Sequence, residues 1–394
     1  MNKYNNKQYG AVSLFIVIFA TLLMTIVTVG FVRIMLQGQQ QASSTDLSQS
    51  AYDSALAGVE DAKRALLLYQ NTCNTLSSIS CTNLQKQIAS STCNDAVSVL
   101  SDVAAAMAAS SSNEVNVQTG STSNALNQAY TCVKIILNTQ NYLGTLAKDE
   151  SNIIPLVGVS PFNEVKIQWF DSKNSSTGSV SLASASTLIP VVPLMRAWSS
   201  QTPPIMRSQL MWFGGSGFKL TDFDSNTNSS TLFLYPAASG GLNNFDYNLD
   251  SRRLTSGGSG SQPKPVNCVD LLHGALYSCS ATIKLPASAQ QSMFLRLTSI
   301  YGGANYNVTL QNNGSVVEFS AVQPEIDSTG RADNLFRRVQ TRVELTDTTF
   351  AYPNAAINIE GSFCKDFSIT DAIGDYNVDS LGYSGINNNG KCTP

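Results

Sequence analysis

The chain has 394 residues, a formal net charge of −3, 43% hydrophobic residues and only 13% charged residues. That length holds two or three domains of roughly 100–200 residues each, and the charged share is about half that of an ordinary soluble domain. So weak a charge gives no electrostatic basis for general nucleic-acid binding, and no nucleic-acid partner is expected. Ser, Thr, Asn and Gln take the place of charge, a composition suited to extracellular filament and adhesin surfaces.

The first ten residues, MNKYNNKQYG, are polar and carry Lys3 and Lys7; residues 11–32 then contain no charge. As a helix this run spans about 33 Å, the thickness of a bilayer core. Lysines before the run place the N-terminus on the cytoplasmic side, which predicts a single-pass inner-membrane protein. A cleaved secretory signal has a shorter apolar core, about 7–15 residues, with a small-residue cleavage site after it. Here Arg33, Met35 and a Gln run follow instead. An uncleaved signal anchor obeys the same membrane physics and stays open at this point.

Beyond the membrane, Leu47, Ala51, Ala55, Val59, Ala62, Leu66 and Tyr69 recur at steps of three and four, one face of an α-helix. Glu60 precedes Arg64 by four residues, a helix-supporting pair. No proline occurs before Pro155, so one helix from about residue 11 to 70 is predicted. Gly30, Gly38 and Gly58 each cost it about 1 kcal/mol and are expected at bends or close contacts.

These features resemble the type IV pilin family, most closely its PilX-type minor members. The resemblance rests on the basic leader ending in Gly10, on Ala11 opening the apolar helix, and on SAYDSALAGVEDAKRAL at residues 50–66. It implies that a prepilin peptidase cuts after Gly10 and methylates Ala11. It also implies other pilin subunits as partners. At the fifth mature position most pilins carry glutamate, whereas this chain has Phe15.

Residues 71–150 are Ser-, Asn- and Thr-rich, and helical patterns recur at 89–109 and at 124–137, where Leu126, Tyr130, Val133 and Leu137 are spaced helically. A small helical subdomain is predicted here. It holds Cys73, Cys81, Cys93 and Cys132, for which three pairings are open. From 151 to 394 a β-rich extracellular domain is expected. Short β-type runs at 165–170, 209–213, 231–235, 281–285, 294–301, 307–310, 316–322 and 335–345 are separated by turn residues, as in an antiparallel sheet or sandwich. Val339, Thr341, Val343 and Leu345 alternate with Arg338, Gln340, Arg342 and Glu344, predicting one buried and one wet face. Asp327-Ser328-Thr329-Gly330 is expected to form the turn before that strand. Residues 326–345 also resemble the terminal hairpin of PilX-like proteins. The fold class is therefore α+β.

Residues 256–265, SGGSGSQPKP, read as a flexible linker. Cys268 and Cys279 follow and are expected to clip a local loop. Cys364 and Cys392 enclose a Gly/Asn-rich segment, and they resemble the C-terminal disulfide-bounded loop of pilins. Eight cysteines without a CxxC motif point to disulfides made outside a reducing cytosol.

Chemistry-bearing groups are sparse. Asp222, Asp224, Asn226 and Asn228 offer oxygen ligands at every second residue, as calcium loops do. Thr227 stands where an EF-hand has glycine and no closing glutamate follows, so a solvated polar loop is the plainer reading and no cofactor is expected. Arg331, Arg337, Arg338 and Arg342 form the densest basic cluster; a solvated face is again plainer than an acidic partner. The single histidine, His273, lies between two cysteines expected to pair, and no GxSxG is present. The expectation is a structural and adhesive pilin-like subunit, minor or tip-associated, with a possible surface receptor, and not an enzyme. Two alternatives stand beside it: a signal-anchored adhesin or biogenesis factor that does not polymerise, and an exported carbohydrate-active enzyme.

Overall fold

The structure is a computed structural model that describes residues 10–75, 79–110, 113–117, 127–175, 177–182, 198–212, 229–247, 263–272, 276–286 and 293–345. It divides into two compact units. The first comprises residues up to Ile136 together with Glu325–Val343, and the second takes Leu137–Pro324 and the remainder.

In the first unit α1 runs without a break from Gly10 to Thr75, 66 residues, or about 99 Å at the α-helical rise. Its second half buries the expected stripe. Ala51, Ala55, Val59, Ala62 and Leu66 are all buried, and Ser50, Ser54, Gly58 and Ala65 fill the positions between them. Two short helices follow, α2 (Ile79–Ile88) and α3 (Ser101–Ala108). Glu60 does not pair with Arg64. It bonds Lys63 one turn on, and Arg64 bridges Asp61 on α1 and Asp102 on α3, each at 2.8 Å.

A four-stranded sheet completes this unit, ordered β1 (Val115–Asn116), β2 (Ala129–Thr139), β14 (Phe319–Ala332), β15 (Leu335–Arg342). Of β2 and β14, the residues up to Ile136 and from Glu325 belong here. The helix predicted over 124–137 is thus corrected to a strand from Ala129 onward. Thr131, Val133, Ile135, Ile136 and Thr139 are β-branched, and this stiffness favours the pleated surface over the helical spacing of four apolar residues. The region 71–150 is accordingly mixed rather than helical. Its pattern over 89–109 yields only α3, because Asn94, buried and at φ 67°, leaves the helical path. Its side chain accepts from the Val133 amide and donates to the carbonyls of Asn113 and Thr131.

The expected turn at residues 327–330 lies inside β14, and the hairpin turns at Asp333-Asn334, with Ala332 opposite Leu335. No residue of β15 is fully buried, so the predicted alternation is damped. The strand is at the edge of its sheet, with a ladder on one side only.

The second unit is built on two sheets around one core. One sheet is ordered β13 (Ser315–Val317), β12 (Ala304–Asn312), β5 (Glu164–Asp171), β10 (Tyr277–Lys284), β8 (Asn244–Asp246), with β3 (Tyr142–Leu146) also pairing β12. The other is ordered β4 (Ser151–Leu156), β11 (Met293–Ile300), β6 (Ile205–Trp212), β7 (Ser229–Ala237), β9 (Lys264–Asn267). Alternate residues of both sheets enter a core around Trp169, Tyr142, Tyr306 and Phe319. Most ladders are antiparallel as expected, but β10–β8 and β7–β9 are parallel. Phe170, at φ 67°, breaks the alternation of β5 so that it and Trp169 are both buried.

Candidate functional site: the N-terminal helix and its seat

The two halves of α1 obey different rules. From Leu14 to Leu36 seventeen large apolar side chains are exposed, Phe15 at 72%. An 18-residue window reaches a mean hydropathy of 2.6 with none of it buried in the chain, so the helix is long and apolar enough to cross a membrane. Burying each such side chain is worth about 1.5–3 kcal/mol, so leaving all of them in water would forfeit tens of kcal/mol. The three threonines in this stretch are satisfied within the helix. Thr21 and Thr25 donate to the carbonyls of Ile18 and Leu22 at 2.9 and 2.8 Å, and Thr28 donates to that of Met24. Such back-bonding removes the need for water around a hydroxyl. Gly10 opens the helix and Ala11 lies in its first turn. A Cβ at Gly30 or Gly38 would meet nothing within 4 Å, so neither glycine serves a contact within this chain.

The second half is seated by small residues on both partners. A Cβ at Gly58 would fall 2.5 Å from the Ser328 hydroxyl and 2.7 Å from Val133. From the other side, a Cβ at Gly330 would fall 2.2 Å from the Ala55 nitrogen and 2.3 Å from the Ala51 oxygen. Ser328, fully buried, donates to the Ala55 carbonyl at 2.7 Å. At the edge of this seat Tyr130 donates to Asp61 at 2.9 Å. Burial, and then the Asp61 carboxylate, push the Tyr130 hydroxyl well above its ordinary value. Cys73–Cys81 ties the end of α1 to α2, and Cys93–Cys132 ties the segment before α3 to β2. Cys268–Cys279 closes the expected local loop in the second unit, with Cα atoms 4.3 Å apart. Cys364 and Cys392 lie outside the described residues, as do His273 and the calcium-loop residues Asp222, Asp224, Asn226 and Asn228.

The basic cluster of the hairpin is largely matched by acids of its own unit. Arg331 bonds Glu114 at 2.6 Å with both side chains mostly buried, and Arg338 grips both oxygens of Asp327. Arg342 meets Glu325 at 3.3 Å, and Arg337 donates from Nε to the Ser48 hydroxyl at 2.8 Å. A shallow groove lined by Gln39, Gln40, Ser43, Ser44, Leu47 and Leu335 lies between α1 and the hairpin tip.

In the second unit Tyr142, Asn152, Tyr306 and Glu344 form one polar cluster. Asn152 donates to the Tyr306 and Tyr142 hydroxyls at 2.7 and 3.1 Å, and Tyr142 donates to Glu344. Burial raises both phenols far above their ordinary values, which keeps them protonated and suits a structural network. Among the described residues no group of three or more His, Cys, Asp and Glu side chains is placed to hold a metal.

Sequence reasoning found the stripe on α1 but missed Ser328 and Gly330, which receive it. Compared with protein-family models, curated proteins and solved structures, the chain gives no match in any of the three.

Proposed function

We propose that this chain is a minor, tip-associated subunit of a type IV pilus or related filament, held before assembly in the inner membrane with its N-terminus inside. The observation that carries the reading is the division of α1. From Leu14 to Leu36 it offers every large apolar side chain outward, while its second half is seated on a sheet of its own unit. Such a helix is drawn from lipid into a filament core by exchanging one apolar surrounding for another, and the disulfide-bearing β-rich region faces outward as the structural and adhesive part. The partners are other pilin subunits, a prepilin peptidase, the membrane and a surface receptor; the chain has no catalytic role. The test is the mature N-terminus. Mass spectrometry of protein made alongside a prepilin peptidase should find a chain beginning at methylated Ala11. Intact Met1, or a cut near residue 36, would rule the reading out.

Phe15 supports the tip. In pilins of the resembling kind, the glutamate at this place pairs with the methylated ammonium of the subunit added before it. A carboxylate in lipid is expensive unless a partner charge offsets it. A subunit with Phe15 can offer its ammonium to a later subunit but cannot neutralise that of an earlier one, so it suits the first place. Immunogold label at one filament end, moving partly into the shaft with Phe15→Glu, is expected; even shaft labelling would refute the placement. The missing carboxylate also favours a second reading, an anchored adhesin or biogenesis factor that never polymerises. Label confined to membranes would select it.

A further inference from the structure

Val133 of β2 is fully buried and held from two sides. Its side chain faces α1, where a Cβ on Gly58 would fall 2.7 Å from it. Its backbone is clasped by Asn94. The Asn94 amide donates to the Val133 carbonyl at 3.0 Å, and the Val133 amide returns a bond to the Asn94 side chain at 2.8 Å. Cys93–Cys132, one residue earlier on both sides, makes the same junction covalent. At the other end of the connection Cys73, in the last turn of α1, is joined to Cys81 of α2.

The seat of α1 is itself noncovalent. It consists of close packing at Gly58 and Gly330, the Ser328–Ala55 bond and the Tyr130–Asp61 bond. The two disulfides run a covalent path beside it, leaving the helix at Cys73, crossing to Cys81, passing through α2 to Cys93 and crossing to β2 at Cys132. Only the chain from Cys81 to Cys93 can lengthen along this path, about 12 residues or 42 Å at full extension. Without the bonds the run from Cys73 to Cys132 would lengthen instead, about 59 residues or 205 Å. Loop closure becomes less probable as roughly the three-halves power of length, so the shorter connection returns the helix about tenfold more readily.

We propose that the two disulfides are a leash for α1: when tension lifts the helix from its seat, they keep it near β2 and return it when the tension falls. The inference rests on the reading of the chain as an adhesive filament subunit, which puts a load between α1 and the sheet. The full chain in detergent is pulled between p-azidophenylalanine residues replacing Tyr52 and Ile136, both exposed and both in the first unit. In the oxidised protein the two points should separate to no more than about 140 Å, the extended length of the leashed path. Reductant added while the protein is held open should lengthen it by about 23 Å and about 130 Å. These steps are the sequence separations of 8 and 39 residues, less the Cα–Cα distances of 5.1 and 4.6 Å. After relaxation the reduced protein should reclose about tenfold more slowly than the oxidised one. Extension well past that limit before reduction, or none added by it, would show that the bonds do not bear the load. Equal reclosing rates would show that they do not return the helix. Either result overturns the inference and leaves the mature N-terminus, and with it the filament reading, untouched. A mature chain beginning at intact Met1 would remove the filament and its load, and the inference with them, whatever the pulled protein does.

Discussion

The seat of α1 is most directly tested at Gly330. Its φ lies outside the left-handed region, so alanine there is tolerated by the backbone and any cost of Gly330→Ala is steric. The new methyl would meet the Ala55 nitrogen at 2.2 Å, the Ala51 oxygen at 2.3 Å and the Ser54 carbonyl carbon at 2.8 Å. All three obstacles are helix backbone, so no side-chain rotation relieves the clash. Overpacking of a close contact costs about 1–3 kcal/mol, and backbone obstacles put this case at the top of the range. If the helix lifts, the buried Ser328 hydroxyl loses its acceptor, adding about 1–3 kcal/mol. A loss of about 3–5 kcal/mol is expected, read in the full chain in detergent by hydrogen exchange of the amides at 48–66 and 325–342. Gly302→Ala is the matched control, since its Cβ would meet only Pro204 Cβ at 3.7 Å. If Gly330→Ala behaved like that control, within about 0.5 kcal/mol of the parent, the close approach of helix and sheet would be refuted.

Removing Cys93–Cys132 by the double serine substitution should cost about 4 kcal/mol for its separation of 39 residues in the chain-entropy model. Urea midpoints would check it, and an unchanged midpoint would contradict the pairing. Asn94→Ala removes an acceptor from the Val133 amide and two donated bonds in a buried setting, so a loss of about 3 kcal/mol is expected from the same measurement. Tyr130 sets an alkaline limit. Its raised hydroxyl means that folding favours the neutral phenol, so this stability is full below the unfolded value near 10 and declines as pH rises through the folded value. Amides at 55–66 should lose protection above about pH 10, and less steeply in Tyr130→Phe. Equal slopes in both proteins would exclude Tyr130 as the cause.

What the sequence made legible was local. The apolar run and the stripe from Leu47 to Tyr69 are periodic over many turns, and period survives whatever the helix packs on. Gly330 was not legible, because its reason is a helix far earlier in the chain: the Ser328–Ala55 bond spans 273 residues. Without that neighbour, Asp-Ser-Thr-Gly has turn chemistry and nothing more. The strand at Ala129–Thr139 was misread because four apolar residues fell at helical spacing by chance, while the alternate burial of Val133, Ile135, Leu137 and Thr139 appears only once the strand has neighbours. Strands β5, β10, β11 and β12 were legible as segments, since each alternates on its own for most of its length, whereas β3, β4, β8 and β9 were not singled out. Their order was not. The pairing of β5 with β12 joins Trp169 to Tyr306, and no local pattern carries that choice. The arginine partners were hidden for the same reason, Glu114 being 217 residues from Arg331.

The division of α1 bears on how it would move between surroundings. None of the apolar side chains from Leu14 to Leu36 is buried by its own chain, whereas the seat begins with the half-buried Leu47 and Ser48 and is continuous from Ser50. Withdrawing the first half from a bilayer therefore breaks no packing of the seat. On the proposed reading, the free-energy difference is set by lipid on one side and neighbouring helices on the other. Both are apolar, so burial nearly cancels between them and the balance falls to close packing and to whatever charges the core contains. Gly30 and Gly38, with nothing near their Cβ positions here, are open to the backbone of a neighbour in a way that Gly58, already filled by Ser328 and Val133, is not. On the proposed reading, close approach at Gly30 and Gly38 supplies the preference that Phe15 does not. Gly30→Leu should then leave the seat's hydrogen exchange unchanged while lowering incorporation into sheared filaments several-fold; undiminished incorporation would show that the first half packs by bulk alone.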